Sequence, residues 1–266
     1  MSKDIFRKTR SGPWRYNEKE LELKLKEMLE TLSLSSDAPL LETNGCKTFV
    51  IAVRHEVLDG PPVRLKSYRL DGSEVRCSIL QAARATSAAP TIFPPESIGL
   101  TKYVDGGIRY NNPAEEAVRE ANRIWPSRPI GCLLSIGTGK NVPISGISRV
   151  KQQFGSIVGG VLQLAASQTA EKLTVAKYCS ELVTGCEEVH RHLLGDQSLK
   201  TFSSMDRYYR FNVEYGAVDI EMDEWEKQST ISARTDAYLA EPLVEQKLQS
   251  CVLLLTSDQR IRANIG

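Results

Sequence analysis

Lys102-Tyr103-Val104-Asp105-Gly106-Gly107, then Asn111-Asn112-Pro113 and the apolar run from Ile130 to Ile136, is the stretch whose reading decides the fold. Lys102 to Val104 predicts a short strand that ends in the Asp105-Gly106-Gly107 turn. Asn112 is placed to cap a helix, with Pro113 at its first position and Glu115 closing a capping box. The core face of that helix reads as Ala117, Val118, Ala121, Ile124 and Trp125. Ile130 to Ile136 then reads as a buried strand, ended by Gly137-Thr138-Gly139. Strand, turn, helix, strand is the βαβ pattern of a parallel sheet. The expected class is therefore α/β, with a largely parallel central sheet flanked by helices. Asp105 would stand at the C-terminal end of a strand, where open α/β sheets hold their ligands.

Working outward, Leu21, Leu25, Met28, Leu29 and Leu32 form one apolar stripe and predict a helix from Asn17 to Leu32. Residues 1–40 are thus expected to be an N-terminal helical segment of the same domain that fills residues 40–266. Lys47 to Arg54 and Val63 to Leu70 read as strands around the Asp59-Gly60-Pro61-Pro62 turn. The Ala-rich Ile79 to Ala88 reads as a helix that stops before Pro90. Further on, Ser156 to Cys179 and Pro242 to Leu255 read as helices, and Arg207 to Val213 as a strand.

The 266 residues carry 34 Lys plus Arg against 33 Asp plus Glu. A net charge of +1 gives no electrostatic reason to expect nucleic acid as a partner. No apolar run reaches the ~18 residues of a membrane-spanning helix. The N-terminal residues lack the apolar region of a secretory signal. The six cysteines form no C-x-x-C pair and read as reduced thiols of a cytoplasmic protein.

Two chemistries fail on spacing. Gly137-Thr138-Gly139-Lys140 has Leu134 and Asn141 where a phosphate loop needs glycine and Ser or Thr, so it reads as a strand-end turn. Cys179, Cys186, His190 and His192 match no structural zinc pattern. The expectation is that Cys179 packs at a helix end and that the histidines lie in a solvated loop. No metal and no cofactor is expected.

The block Ala83-Arg84-Ala85-Thr86-Ser87-Ala88-Ala89-Pro90, the Asp105-Gly106-Gly107 turn and the Asn111-Asn112-Pro113 helix start resemble, in order and spacing, the patatin-like phospholipase family, its fungal members above all. The resemblance runs from about residue 40 to 255, through Cys46 to Phe49, Ile130 to Gly139, Arg210 to Val213, Asp223 to Trp225 and Thr235 to Leu239. It implies a Ser–Asp dyad acyl hydrolase acting on lipid esters at or near a membrane surface. Asp105 matches the family's aspartate base, with Gly106 and Gly107 completing its motif. Ile92, Phe93, Pro94 and Pro95 are expected beside the site as an apolar wall for acyl chains, ordinary core packing being the alternative.

The family's serine lies in a G-x-S-x-G elbow and its oxyanion donors in a glycine-rich loop. Neither pattern occurs in these 266 residues: Ser135 has Leu133 before it, and Ser148 has Val150 after it. The chain is therefore expected to hold the C-terminal portion of such a domain and to be inactive alone. A non-catalytic lipid- or partner-binding remnant is the alternative.

Overall fold

The computed structural model describes residues 16–41, 45–90, 92–139, 186–196, 207–213, 220 and 225–263. The chain divides into two compact units, Met1–Asn111 with Gln152–Gly185, and Asn112–Lys151 with Cys186–Gly266.

In the first unit, helix α1 (Glu18–Thr31) starts at Asn17, whose side chain accepts the Lys19 N–H. Strands β1 (Phe49–Arg54) and β2 (Val63–Lys66) flank the predicted turn and pair antiparallel, Ala52 opposite Val63. Strands β3 (Glu96–Ile98) and β4 (Thr101–Asp105) also pair antiparallel. The two residues between them are Gly99 and Leu100, and Gly99 has a φ of 61°, which a residue with a Cβ seldom adopts. β4 lies antiparallel to β1 with Asp105 opposite Ala52, giving the order β2-β1-β4-β3.

This corrects the parallel sheet expected from the sequence. Every ladder of the four-stranded sheet is antiparallel, and the parallel ladder is a separate pair in the second unit. The physical reason lies in the connections. Turns of a few residues can join only antiparallel neighbours, whereas a parallel pair needs a long crossover. The Asp59-to-Pro62 turn already carried that information. The strand after the Asn112 helix does exist, but it finds its partner far along the chain rather than in β4.

Helix α2 (Ile79–Thr86) lies on one face of the sheet. Its Ala82 and Ala85 pack with Ala52, Val63, Leu65, Ile98 and Tyr103. Small side chains let the helix axis come close to the strands. Full burial of Leu65 alone contributes about 1.5–3 kcal/mol. On the opposite face Val53 and Val104 pack with Ile108 of α3 (Gly107–Tyr110).

The second unit contains α4 (Ala114–Ile124), β5 (Leu133–Ile136), a helical stretch α5 (residues 186–195), β6 (Tyr208–Phe211), a 3-10 turn (Trp225–Lys227), α6 (Gln228–Leu239) and α7 (Pro242–Ala263). β5 and β6 pair in parallel, from Leu133 opposite Tyr208 to Ile136 opposite Phe211. Ala114 and Val118 of α4, Leu193 of α5 and Tyr208 make one core. Tyr209, Phe211, Val244 and Cys251 make another.

Two expectations change here. His190 and His192 lie on α5, not in a loop, because Val189 and Leu193 give that stretch an apolar side. His190 Nδ1 meets the Tyr208 hydroxyl at 3.0 Å, and His192 bonds Glu115. The buried seam of α4 includes Glu116 and Glu120, while Trp125 at its end is exposed. Arg119 and Arg123 pair with these glutamates, one turn on. Ser156 to Cys179 lies outside the described residues.

Candidate active site at the end of β4

Asp105 is the last residue of β4. Its N–H donates to the carbonyl of Ala88 (3.0 Å), so the Ala-rich block and the Asp-Gly-Gly turn are tied backbone to backbone. That block is itself tied to β1, since the Thr86 hydroxyl donates to the carbonyl of Ile51 (2.8 Å). Asp105 shares a sheet face with Ala52 and Tyr103, the face on which α2 lies. Its surroundings are therefore small and apolar, with Ala52 and Ala88 both fully buried.

The carboxylate receives one hydrogen bond among the described residues, from the Gly107 N–H to Oδ1 at 2.7 Å. Burial pushes the Asp105 carboxyl up to about 6 from the ordinary 3.8, and the Gly107 bond opposes part of that rise. A carboxyl so placed is ionised at neutral pH and holds its proton more readily than a surface aspartate. Those are the attributes of a general base.

The two glycines serve different ends. A Cβ on Gly106 would fall 2.5 Å from the Ile51 carbonyl oxygen and 2.7 Å from Ile51 Cγ2, so only a bare backbone can cross β1 there. A Cβ on Gly107 would stand 3.2 Å from Asp105 Oδ1 and 3.4 Å from Oδ2. Its absence leaves that side of the carboxylate clear. Gly106 and Gly107 lead directly into α3 rather than forming only a turn. Ile108, buried beneath the sheet, holds that short helix in place.

Ile92, Phe93, Pro94 and Pro95 follow the same block, with the Phe93 N–H donating to the Ala89 carbonyl (3.0 Å). Phe93 is buried against Tyr16, ring centroids 5.9 Å apart, while Ile92, Pro94 and Pro95 are half-buried. The guanidinium of Arg84 lies over the Phe93 ring at 5.8 Å, and its Nη2 donates to the Pro94 carbonyl. Arg84 is buried and faces Glu22 and Glu96, yet its Nη1 has no hydrogen-bond partner among the described residues. Reading the sequence missed this arginine as an organiser. The signal was a lone charge inside an alanine-rich helix.

A second polar group, in the other unit, was legible only as a helix cap. Asn112 Oδ1 accepts the Ala114 N–H and the Ser135 hydroxyl, and its Nδ2 donates to the Cys186 carbonyl. Arg210 Nη1 donates to the same Ser135 oxygen at 2.8 Å. Ser135 is therefore a bonded member of the interior. Just beyond it, a Cβ on Gly137 would fall 2.3 Å from Asn212 Oδ1. That same oxygen accepts the N–H of Gly139. Among the described residues no three His, Cys, Asp or Glu side chains converge as metal ligands, and no helix is long and apolar enough to cross a membrane.

Fold and site define a mixed α/β protein with a half-buried, proton-holding aspartate at a strand end. Comparison with known proteins fits that class. Residues 2–118, which include α2, β4 and Asp105-Gly106-Gly107, match the family model described as patatin-like phospholipase. The chain is similar to calcium-independent phospholipase A2-gamma of Rattus norvegicus, 40% identical over 146 residues (55% of this chain, 16% of that protein). It is 26% identical over 195 residues to the Homo sapiens protein of that name (73% and 22%). Phospholipase A I of Arabidopsis thaliana is 34% identical over 149 residues (55% and 9%). The chain spans less than a quarter of the length of these relatives. No solved structure matches.

Proposed function

We propose that this chain carries the aspartate half of a Ser–Asp lipid acyl hydrolase, with Asp105 as the general base. The observation that carries the reading is the Asp105 carboxylate itself. It stands at the end of β4, burial raises it to about 6, and one N–H fixes Oδ1 while Gly107 leaves its approach clear. In this role Asp105 accepts the proton of a serine hydroxyl as the serine attacks a lipid ester carbonyl. It then returns that proton to the leaving alcohol and activates water for deacylation.

The names of the similar proteins, calcium-independent phospholipase A2-gamma and phospholipase A I, support phospholipid as the substrate class, and the first of them supports a mechanism that needs no calcium. Half-buried Ile92, Pro94 and Pro95 are the members of the proposed acyl wall with surface left to offer, since Phe93 is committed to Tyr16. No serine of these 266 residues lies in a G-x-S-x-G elbow. The proposal therefore assigns this chain to the C-terminal portion of a patatin-like domain, its nucleophile carried by residues outside this sequence.

The test joins the chain to the segment of a relative that carries the elbow serine and the glycine-rich loop. The fusion should hydrolyse a short-chain ester, and Asp105→Asn in the same fusion should lower the rate by ~10²–10⁴. The rate of the unsubstituted fusion should fall as pH drops below about 6, where Asp105 takes up its proton. A fusion indifferent to Asp105→Asn would refute the base assignment. Ester hydrolysis by the unfused chain would refute the claim that the nucleophile lies elsewhere. A folded but inactive fusion that still binds lipid vesicles would favour the remnant reading.

A further inference from the structure

Cys132, immediately before β5, and Cys251, in the middle of α7, bring their sulfurs to 3.9 Å across 119 residues of chain. Cys251 is buried in the core that Tyr209 and Phe211 of β6 form with Val244, while Cys132 is half-buried beside it. Among the described residues, α7 meets the β5–β6 pair along one seam, to which half-buried Leu254 also belongs. Of its described side chains only Val244 and Cys251 are buried, with Lys247 adding a bond to the Arg210 carbonyl at 2.7 Å. Leu243, Leu248, Val252, Leu253 and Leu255 face outward. A covalent tie between these two cysteines would fix that seam at its middle.

We propose that Cys132 and Cys251 are a redox latch: oxidation by a peroxide joins them as a disulfide and fixes α7 on the β5–β6 pair. The sulfurs, 3.9 Å apart, must close to the ~2.05 Å of a disulfide, which rotation about the two Cα–Cβ bonds would supply. Cys132, the more accessible, acts first. Its sulfur attacks one peroxide oxygen, the S–O bond forms as the O–O bond breaks, and water or an alcohol leaves with a sulfenic acid behind. The Cys251 sulfur then attacks the sulfenic sulfur. The S–S bond forms, the S–O bond breaks, and the hydroxyl departs as water with the Cys251 proton. In sum two thiols are oxidised by two electrons and one peroxide bond is reduced.

Burial pushes the Cys132 thiol up to about 12, so little thiolate exists at neutral pH and closure is slow. Exposed Cys46 reacts ahead of it. The latch therefore answers sustained oxidation rather than a brief pulse, and thiol–disulfide exchange with a small dithiol reopens it.

The test treats the full 266-residue chain with hydrogen peroxide at pH 8, folded and, in parallel, unfolded in urea. The folded chain should yield a Cys132–Cys251 linked peptide, lighter by two hydrogens, as its dominant disulfide. Dithiothreitol should reverse it. Proteolysis within α7 should slow by about tenfold on closure, because cleavage tracks the population of the opened helix. A thiol pairing as scattered as that of the unfolded chain, or sulfinic acid at Cys132 without a link, would overturn the pairing. A link that leaves cleavage of α7 unchanged would overturn the latch. Both readings come from the unsubstituted chain, so neither depends on a variant that must fold. Cys251→Ser, where it folds, should abolish the linked peptide.

Discussion

Asp105 lowers stability at the pH at which it would act. Its carboxyl titrates at about 6 in the fold against 3.8 as an unperturbed group, so the folded chain binds the proton more tightly than the unfolded one. The stability that this proton supplies is complete below about 3.8, and it is lost as pH rises through about 6. At pH 8 the ionised carboxylate costs the fold up to about 3 kcal/mol, since one pKa unit is ~1.4 kcal/mol. Asn keeps an oxygen for the Gly107 N–H and carries no charge. Asp105→Asn is therefore expected to raise stability by up to about 3 kcal/mol at pH 8, with the gain gone by pH 4. Urea titrations of both proteins across that range measure it, and a gain that does not shrink on acidification would contradict it. Neighbouring residues were legible to unequal degrees. The Asp-Gly-Gly pattern marks the carboxylate in the sequence. The reason Gly106 must be glycine, a carbonyl 2.5 Å from its missing Cβ, depends on a strand about fifty residues earlier.

Among the elements, those with an apolar stripe were readable and those held by polar contacts were not. α1 and α2 follow from their leucines and alanines, and β1 from Phe49, Val50, Ile51 and Val53. α2 also opens with a capping box, Ser78 with Gln81, a pattern that the spacing of the two residues carries in the sequence. α6 buries none of its residues, so no periodicity announced it. The start of α4 was expected from Asn112, whose side chain also joins β5 and α5 through Ser135 and the Cys186 carbonyl. Those links span elements far apart in sequence, which local patterns do not encode. The N-cap of α4 is Pro113, with no side-chain cap bond, in place of the expected Asn112–Glu115 box, yet Asn112→Ala removes the acceptor for the Ala114 N–H, the acceptor for Ser135 and the donor to Cys186 together. The expected loss is about 2–4 kcal/mol, three interactions at about 1 kcal/mol each plus exposed partners. Chemical denaturation followed by Tyr208 fluorescence or amide exchange in α4 reads it. A loss no larger than that of Ser135→Ala would show that the Ala114 and Cys186 bonds contribute little.

At the scale of the whole molecule, the near balance of 34 positive and 33 negative residues gives no electrostatic reason to expect a polyanion as partner. The mixed α/β class was legible because strands and helices each left their period. Strand direction was not, since a strand–helix–strand pattern does not name the sheet that its second strand joins. β5 illustrates this, for its partner β6 lies beyond a stretch of some seventy residues. The same distance carries a consequence for descent. A methyl group on Gly137 would collide with Asn212 Oδ1 at 2.3 Å and crowd Arg210 Nη2 at 3.0 Å. Gly137 cannot gain a side chain while Asn212 holds this position. Gly137→Ala alone should be purged from a randomised library selected for folding, whereas Gly137→Ala with Asn212→Gly should be recovered, minus the Gly139 bond that Asn212 supplied. Recovery of Gly137→Ala at the frequency of the double variant would dissolve the coupling. If the coupling holds, the order of change is fixed, and lineages that alter site 137 must already have altered site 212.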